Sequence, residues 1–368
     1  MWRSPRRISL PGRPPARWAR GRPVVRQSRS GLWNPPARCT GRVVLVLALQ
    51  GCILPSRPAW SGARFNRGTN ATWLGVEWIS KPQQVTDITA LADKLARLQI
   101  HYVFVFATYL RADGEFGATY KQASEFIRVV KAVQPTISLQ AWVGVPVSQA
   151  WLPARKGSGA DLADSATRHK VAALCRELVQ DYGFDGIHLD AEPIAGGDVH
   201  LLSLLGEVRQ AIGPQAMLSV ATRRICPKVL GRTTSLSHWF AWDASYYREV
   251  AKRVDQIAVM IYDSALPLSE LYRWWGRVQV IEISEAVRGT GVGVLYGVPT
   301  SEERTWTHWP SAENMVSGLQ GIIDGLSAPN AEPSVVVGIA VYPYWETSET
   351  EWAQYRTLWL GEYELESR

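Results

Sequence analysis

From residue 71 onward, short runs of aliphatic and β-branched residues alternate with longer stretches whose apolar positions recur every three or four residues. The short runs read as buried strands and the longer stretches as amphipathic helices. Eight strands are expected, at 72–79 (TWLGVEWI), 101–108, 137–145, 184–192, 217–223, 256–263 (QIAVMIYD), 291–298 and 335–345 (VVVGIAVYPYW). Helical stretches such as 85–99, 120–133 and 166–183 fall between them. Eight rounds of strand and helix predict an α/β fold, a single (β/α)8 TIM barrel. A doubly wound open sheet is the alternative, but no GxGxxG loop follows the first strand.

The segment ahead of this alternation has a different character. Residues 1–52 hold eleven Arg and no Lys, Asp or Glu. The whole chain carries a formal charge of +7, yet beyond the leader 29 basic residues face 33 acidic ones. The basic excess therefore belongs to the leader, and no nucleic-acid partner is expected of the folded part. The apolar run VVLVLAL (43–49) is far shorter than the roughly 20 residues that span a bilayer, and it fits the core of a signal peptide. The LQGC that follows resembles the bacterial lipoprotein cleavage box. That resemblance implies lipidation at Cys52, export, and anchoring on the periplasmic or cell-surface side of a membrane. An ordinary secretory signal cut nearby is the alternative. Residues 53–70, rich in Pro, Gly, Ser and Arg, are expected to form a flexible tether, leaving 71–368 as the folded domain. Cys175 and Cys226 are left free or paired, and no zinc-site spacing is present.

The fourth strand carries the chemistry. FDGIHLDAEP (184–193) places Asp185, His188, Asp190 and Glu192 in an otherwise apolar run, where burial of charge is costly. Alternation puts His188, Asp190 and Glu192 on one face and Ile187, Leu189 and Ala191 on the other. The aliphatic face suits the helix layer, so the ionisable face points to the barrel axis and climbs toward the C-terminal mouth, where barrel active sites lie. Two carboxylates in one pocket resist double ionisation, so one stays protonated near neutral pH; Glu192, at the mouth, is the better general acid.

Asp185, Asp190 and Glu192 match the DxxDxDxE signature of glycoside hydrolase family 18, the chitinase-type barrels, which this stretch resembles. MIYD (260–263) is similar to that family's M-x-Y-D at the end of strand six, and Trp345 stands where the family closes strand eight with Trp. The resemblance covers most of residues 71–361. It implies a retaining, substrate-assisted glycosidase acting on β-linked, N-acetylhexosamine-containing glycans. Glu192 would be general acid and base, Asp190 would orient the acetamido group and Tyr262 would hydrogen-bond the intermediate. Asp263, Met260 and Trp345 would contact sugar, and Asp185 would brace the strand base. No cofactor is implied.

His188 departs from the pattern, which has Asp there. A neutral imidazole keeps one N–H to give Asp190, and a protonated one would lower the Asp190 pKa, so the site is expected to keep activity with a shifted pH profile or to take a substrate without an acetamido group. Two rival readings stand beside the enzyme: a catalytically silent glycan-binding barrel, and a metal-dependent hydrolase with His188, Asp190, Glu192 and His200 as ligands. Glu77 and Glu346 could also reach the mouth. Trp78, Trp142, Trp151, Trp239, Trp242, Trp306 and Trp309 lie near strand ends or in loops, and indole faces suit sugar rings.

Overall fold

The computed structural model describes residues 62–147, 159–228 and 241–362. The leader with Cys52, the first half of the expected tether (53–61), Trp151 and Trp239 lie outside the described residues. Eight parallel strands close into one barrel in sequence order: β1 Asn70–Leu74, β2 Ile100–Tyr109, β3 Ser138–Pro146, β4 Gly186–Glu192, β5 Met217–Thr222, β6 Gln256–Val259, β7 Gly293–Pro299 and β8 Val336–Tyr342. β1 pairs with both β2 and β8, so the sheet has no edge. The expected (β/α)8 TIM barrel is the fold. Among the described residues no helix is long and apolar enough to cross a membrane.

Strand alternation sorts the side chains into two cores. Val103, Val105, Leu139, Val143, Ile187, Leu189, Ile257 and Val259 face outward and pack, fully buried, against the helices. Helices Val85–Arg97 and Ala123–Val133 present Leu91, Leu95, Phe126 and Val130 to them. The inner face holds a second, aromatic cluster of Ala71, Trp73, Phe104, Phe106, Trp142, Ala258, Leu295 and Ala340. Small residues on strands β6–β8 face large rings on β1–β3, so the rings fill the barrel interior. Gly186 at the base of β4 is needed for this closure, because a Cβ there would lie 2.2 Å from the Met217 carbonyl oxygen of β5.

Three boundaries differ from expectation. The run at 72–79 divides: β1 ends at Leu74, and Glu77–Ser80 form a one-turn helix. Short apolar runs are ambiguous between strand and helix, and the chain turns at Gly75. The ladder of β6 stops at Val259, so MIYD continues beyond the sheet. The last part of the expected tether, 62–69, is packed on the barrel. Gly62 N–H donates to the Leu358 carbonyl at 2.7 Å, Arg67 to the carbonyls of Pro333 and Ser334, and Thr69 Oγ1 to Val337 O. Cys175, buried, and Cys226, half-buried, are free thiols.

Candidate active site

The inner face of β4 stacks His188 beneath Asp190 and Glu192, with Glu192 at the C-terminal end of the strand. Register sets Trp142 of β3 beside His188 and Gly144 beside Asp190. The side-chain face assigned from alternation is thus the face that carries the site.

His188 is completely buried and both ring nitrogens are engaged. Nε2 accepts from the Trp73 indole N–H at 3.1 Å, which places the imidazole proton on Nδ1, 2.9 Å from Ser219 Oγ. Phe104 stacks on the ring, with centroids 3.8 Å apart and planes 14° from parallel. Burial pushes its pKa down to about 3, so the ring is neutral. This corrects the expectation that His188 serves Asp190: neither nitrogen is left for it, and no imidazolium lowers the carboxyl above. The same contacts remove His188 as a metal ligand, and His200 sits exposed in the first turn of helix Val199–Ile212.

Asp190 is nearly buried, and only one of its oxygens is used within the protein. Oδ2 accepts from Trp142 Nε1 at 3.0 Å. Oδ1 has no hydrogen-bond partner among the described residues. Burial pushes this carboxyl well above the usual range and the adjacent Glu192 charge raises it further, while the Trp142 N–H only partly offsets both. Asp190 is therefore the carboxyl that burial holds toward its protonated form, where the crowding on the strand face points to Glu192.

Tyr262, 8% exposed, closes the opposite wall and stacks on Tyr342 with centroids 5.1 Å apart and planes 8° from parallel. Gly297 of β7 makes room for it: a Cβ there would come within 2.8 Å of the Tyr262 ring. Burial, then Tyr342, Asp263, Asp190 and Glu192, hold the phenol well above its ordinary pKa, so Tyr262 stays a neutral hydroxyl. Met260 is half-buried, its N–H given to the Thr222 carbonyl.

Behind Tyr262 the chain takes a left-handed turn at Asp263 (φ 56°). Buried Glu313 holds this turn, accepting from the backbone N–H of Asp263 at 2.7 Å and of Ser264 at 2.8 Å and from Ser264 Oγ. His308 lies 3.0 Å from Glu313 and 3.4 Å from Asp263 through Nδ1, and its Nε2 donates to the Ser301 carbonyl at 2.9 Å. Asp263, His308 and Glu313 have a spacing that could hold a metal ion. The imidazolium already supplies the positive charge between the carboxylates. Burial alone would lower His308, but the hydrogen bonds to Asp263, Glu313 and Ser301 outweigh it and hold the pKa up to about 9. The unfolded histidine titrates near 6.5, so this stabilisation is complete below that pH and is lost as pH rises through 9. It is worth about 3 kcal/mol. Urea unfolding at pH 6.5 and pH 10 should show that loss, and His308→Gln should remove the alkaline dependence while lowering stability at neutral pH; an unchanged slope in the variant would refute the assignment.

Two arginines follow β5. Arg224 Nη1 donates to the carbonyls of Tyr262 and Asp263 at 3.2 and 2.9 Å. Arg223 continues the inward series Ser219, Ala221, Arg223, while Thr222 points outward to Tyr247. The Arg223 guanidinium is close enough to Glu192 to feel its charge.

The remaining residues are placed as follows. Asp185 lies below the site, its Oδ2 accepting from Leu139 N–H at 2.7 Å and pairing with Lys131 at 2.7 Å. Trp345, in the turn Tyr344–Glu346 after β8, is half-buried and meets the Tyr342 ring edge-on at 6.0 Å. Glu346 is half-buried in the same turn. Glu77, half-buried after β1, has its carboxyl raised by desolvation. Trp78 packs on Phe126 and Trp242 is in the core with its N–H on the Ile194 carbonyl, so neither offers a face to sugar. Trp309 lies under Arg304, and Trp306 is 69% exposed. Sequence reading missed Trp73, Ser219, Tyr342, His308, Glu313 and the arginine pair. A buried polar contact across strands leaves no local pattern; the paired RR at a strand end was the one visible signal.

A closed eight-strand barrel with a carboxylate pair at the mouth of its fourth strand defines the glycoside hydrolase class of TIM barrels. The profile of glycosyl hydrolases family 18 matches residues 96–357. The chain belongs to that family. Solved structures with a similar fold include a class V chitinase from Pseudomonas fluorescens Pf-5, with TM-score 0.54 and 14% identity over 79% of this chain and 99% of that one. The chitinase RmChi1 from Rhizomucor miehei gives TM-score 0.50 and 14% identity over 80% and 98%. The Bacillus cereus spore cortex-lytic enzyme SleL gives 0.50 and 12% over 83% and 76%. A search of curated proteins finds no match.

Proposed function

We propose that this barrel is a retaining glycosidase that cleaves β-linked glycans containing N-acetylhexosamine, with Glu192 as general acid and base. The observation that carries the reading is the buried Asp190 Oδ1 without a partner. A buried carboxylate oxygen without a hydrogen-bond partner is costly unless a ligand donor completes it, and an acetamido N–H is such a donor. His188 is the reason the oxygen is open, since its nitrogens are turned to Trp73 and Ser219.

The proton follows from the same geometry. In the free site burial holds a proton on Asp190. An N–H arriving at Asp190 favours its charged form and shifts the proton to Glu192 at the mouth. Glu192 passes it to the glycosidic oxygen as the bond to the anomeric carbon breaks. The acetamido carbonyl oxygen attacks that carbon, Asp190 steadies the positive charge developing on the amide, and Tyr262 donates its hydroxyl to the ring that forms. Water then opens the ring and returns a proton to Glu192.

The test is hydrolysis of a glycan panel with anomer detection. Net retention, and loss of cleavage when the acetamido group is replaced by hydroxyl, are the expected results; inversion or indifference to that group would overturn the mechanism. The lipoprotein-like leader supports a further part of the proposal, that the enzyme is exported and held to a membrane through Cys52. Palmitate labelling that survives Cys52→Ser would refute that part.

A further inference from the structure

We propose that Arg223 binds a carboxylate carried by the sugar chain next to the scissile bond, so that the preferred substrate is an anionic glycan rather than neutral chitin. The inference rests on the glycosidase reading and specifies its substrate.

The physical problem is an arginine with no counterpart. Its guanidinium forms neither a hydrogen bond nor an ion pair with any described residue, and Nη1 is shut off from solvent. Burial opposes its charge, Arg224 adds repulsion, and Glu192 is the carboxylate that offsets them. A guanidinium does not discharge itself as a buried lysine can, so the cost persists until an anion arrives. Its neighbour shows the contrast, since Arg224 spends Nη1 on two carbonyls of the 262–263 turn.

Two alternatives within the chain fail on chemistry. Glu192 cannot be committed to a tight pair with Arg223, because that would hold it ionised and remove the proton it must deliver. Residues 148–158 and 229–240, which follow β3 and β5, contain Arg155, Lys156 and Arg232 but no Asp or Glu, so neither can supply the missing carboxylate. Arg223 directly follows β5, the strand that pairs with β4, and its guanidinium is close enough to Glu192 to feel that charge. Its planar donors match a carboxylate bidentately, which a hydroxyl or acetamido group cannot do.

The probes are chitotetraose, the tetrasaccharide alternating N-acetylglucosamine with N-acetylmuramic acid, and the methyl ester of the latter. For the wild-type enzyme kcat/KM on the free acid should exceed that on the ester at least tenfold, and the ratio should shrink as salt is raised. In Arg223→Gln the ratio should fall below threefold, and Arg223→Lys, which keeps the charge but not the planar pair of donors, should retain only part of it. No described partner loses a bond in Arg223→Gln, so its melting temperature should equal or exceed that of the wild type, which separates a lost contact from a lost fold. Equal cleavage of acid and ester by the wild type, or an unchanged ratio in Arg223→Gln, overturns the inference. If chitotetraose is cleaved without preference, only the role of Arg223 falls; if no probe is cleaved, the glycosidase reading falls with it.

Discussion

Glu192→Gln is expected to lower kcat by about a thousandfold, within the 10²–10⁴ range of general acid–base catalysis. The amide keeps the size of the side chain and removes the transferable proton, so binding of an intact oligosaccharide should stay within a few fold. On the proposed mechanism Asp190→Asn should also be severe, because the amide can neither steady the charge developing on the acetamido group nor release a proton toward Glu192. Single-turnover kinetics and calorimetric titration of each variant with one oligosaccharide separate the two effects. Turnover by Glu192→Gln within tenfold of wild type would remove this residue from the chemistry. Unaltered binding by a wild type that never turns over would make the barrel a lectin.

The contribution of His188 to stability should be lost on acidification. Its pKa falls from 6.5 in the unfolded chain to about 3 in the fold, because desolvation penalises the imidazolium. Between those values the unfolded chain takes up a proton that the native one refuses. The stability His188 contributes is therefore complete above pH 6.5 and is lost as pH falls toward 3. The loss reaches about 5 kcal/mol, comparable with the whole stability of a small domain. Asp190 acts in the opposite direction, since its folded pKa is raised and it gains stability on acidification. The informative quantity is thus the difference between wild type and His188→Gln, measured by urea unfolding from pH 7 to pH 4. A Gln can still accept from Trp73 and donate to Ser219 but does not titrate. Parallel stability profiles would show that the imidazole charges freely in place.

The His188 result also revises the family pattern. A carboxylate at this position would partner Asp190, whereas the imidazole turns to Trp73 on β1 and Ser219 on β5, and Asp190 Oδ1 has no hydrogen-bond partner among the described residues.

Much of this protein was written in local order. The alternation of apolar runs with 3.6-period stretches determined eight strands and their helices, because each face of an element must match its surroundings. Period two along FDGIHLDAE determined which side chains share the barrel axis. The limits of reading appear at particular residues. TWLGVEWI has no period that separates strand from helix, and only the chain reversal at Gly75 divides it. MIYD continues the apolar run, but the ladder ends at Val259, and Glu313, fifty residues beyond Asp263, holds the left-handed turn there. The partners of His188 lie 115 and 31 residues away along the chain. Protonation state, the open oxygen of Asp190 and the unpaired charge of Arg223 depend on burial and on which groups meet across the barrel. Those are properties of three-dimensional proximity, and no window along the sequence contains them.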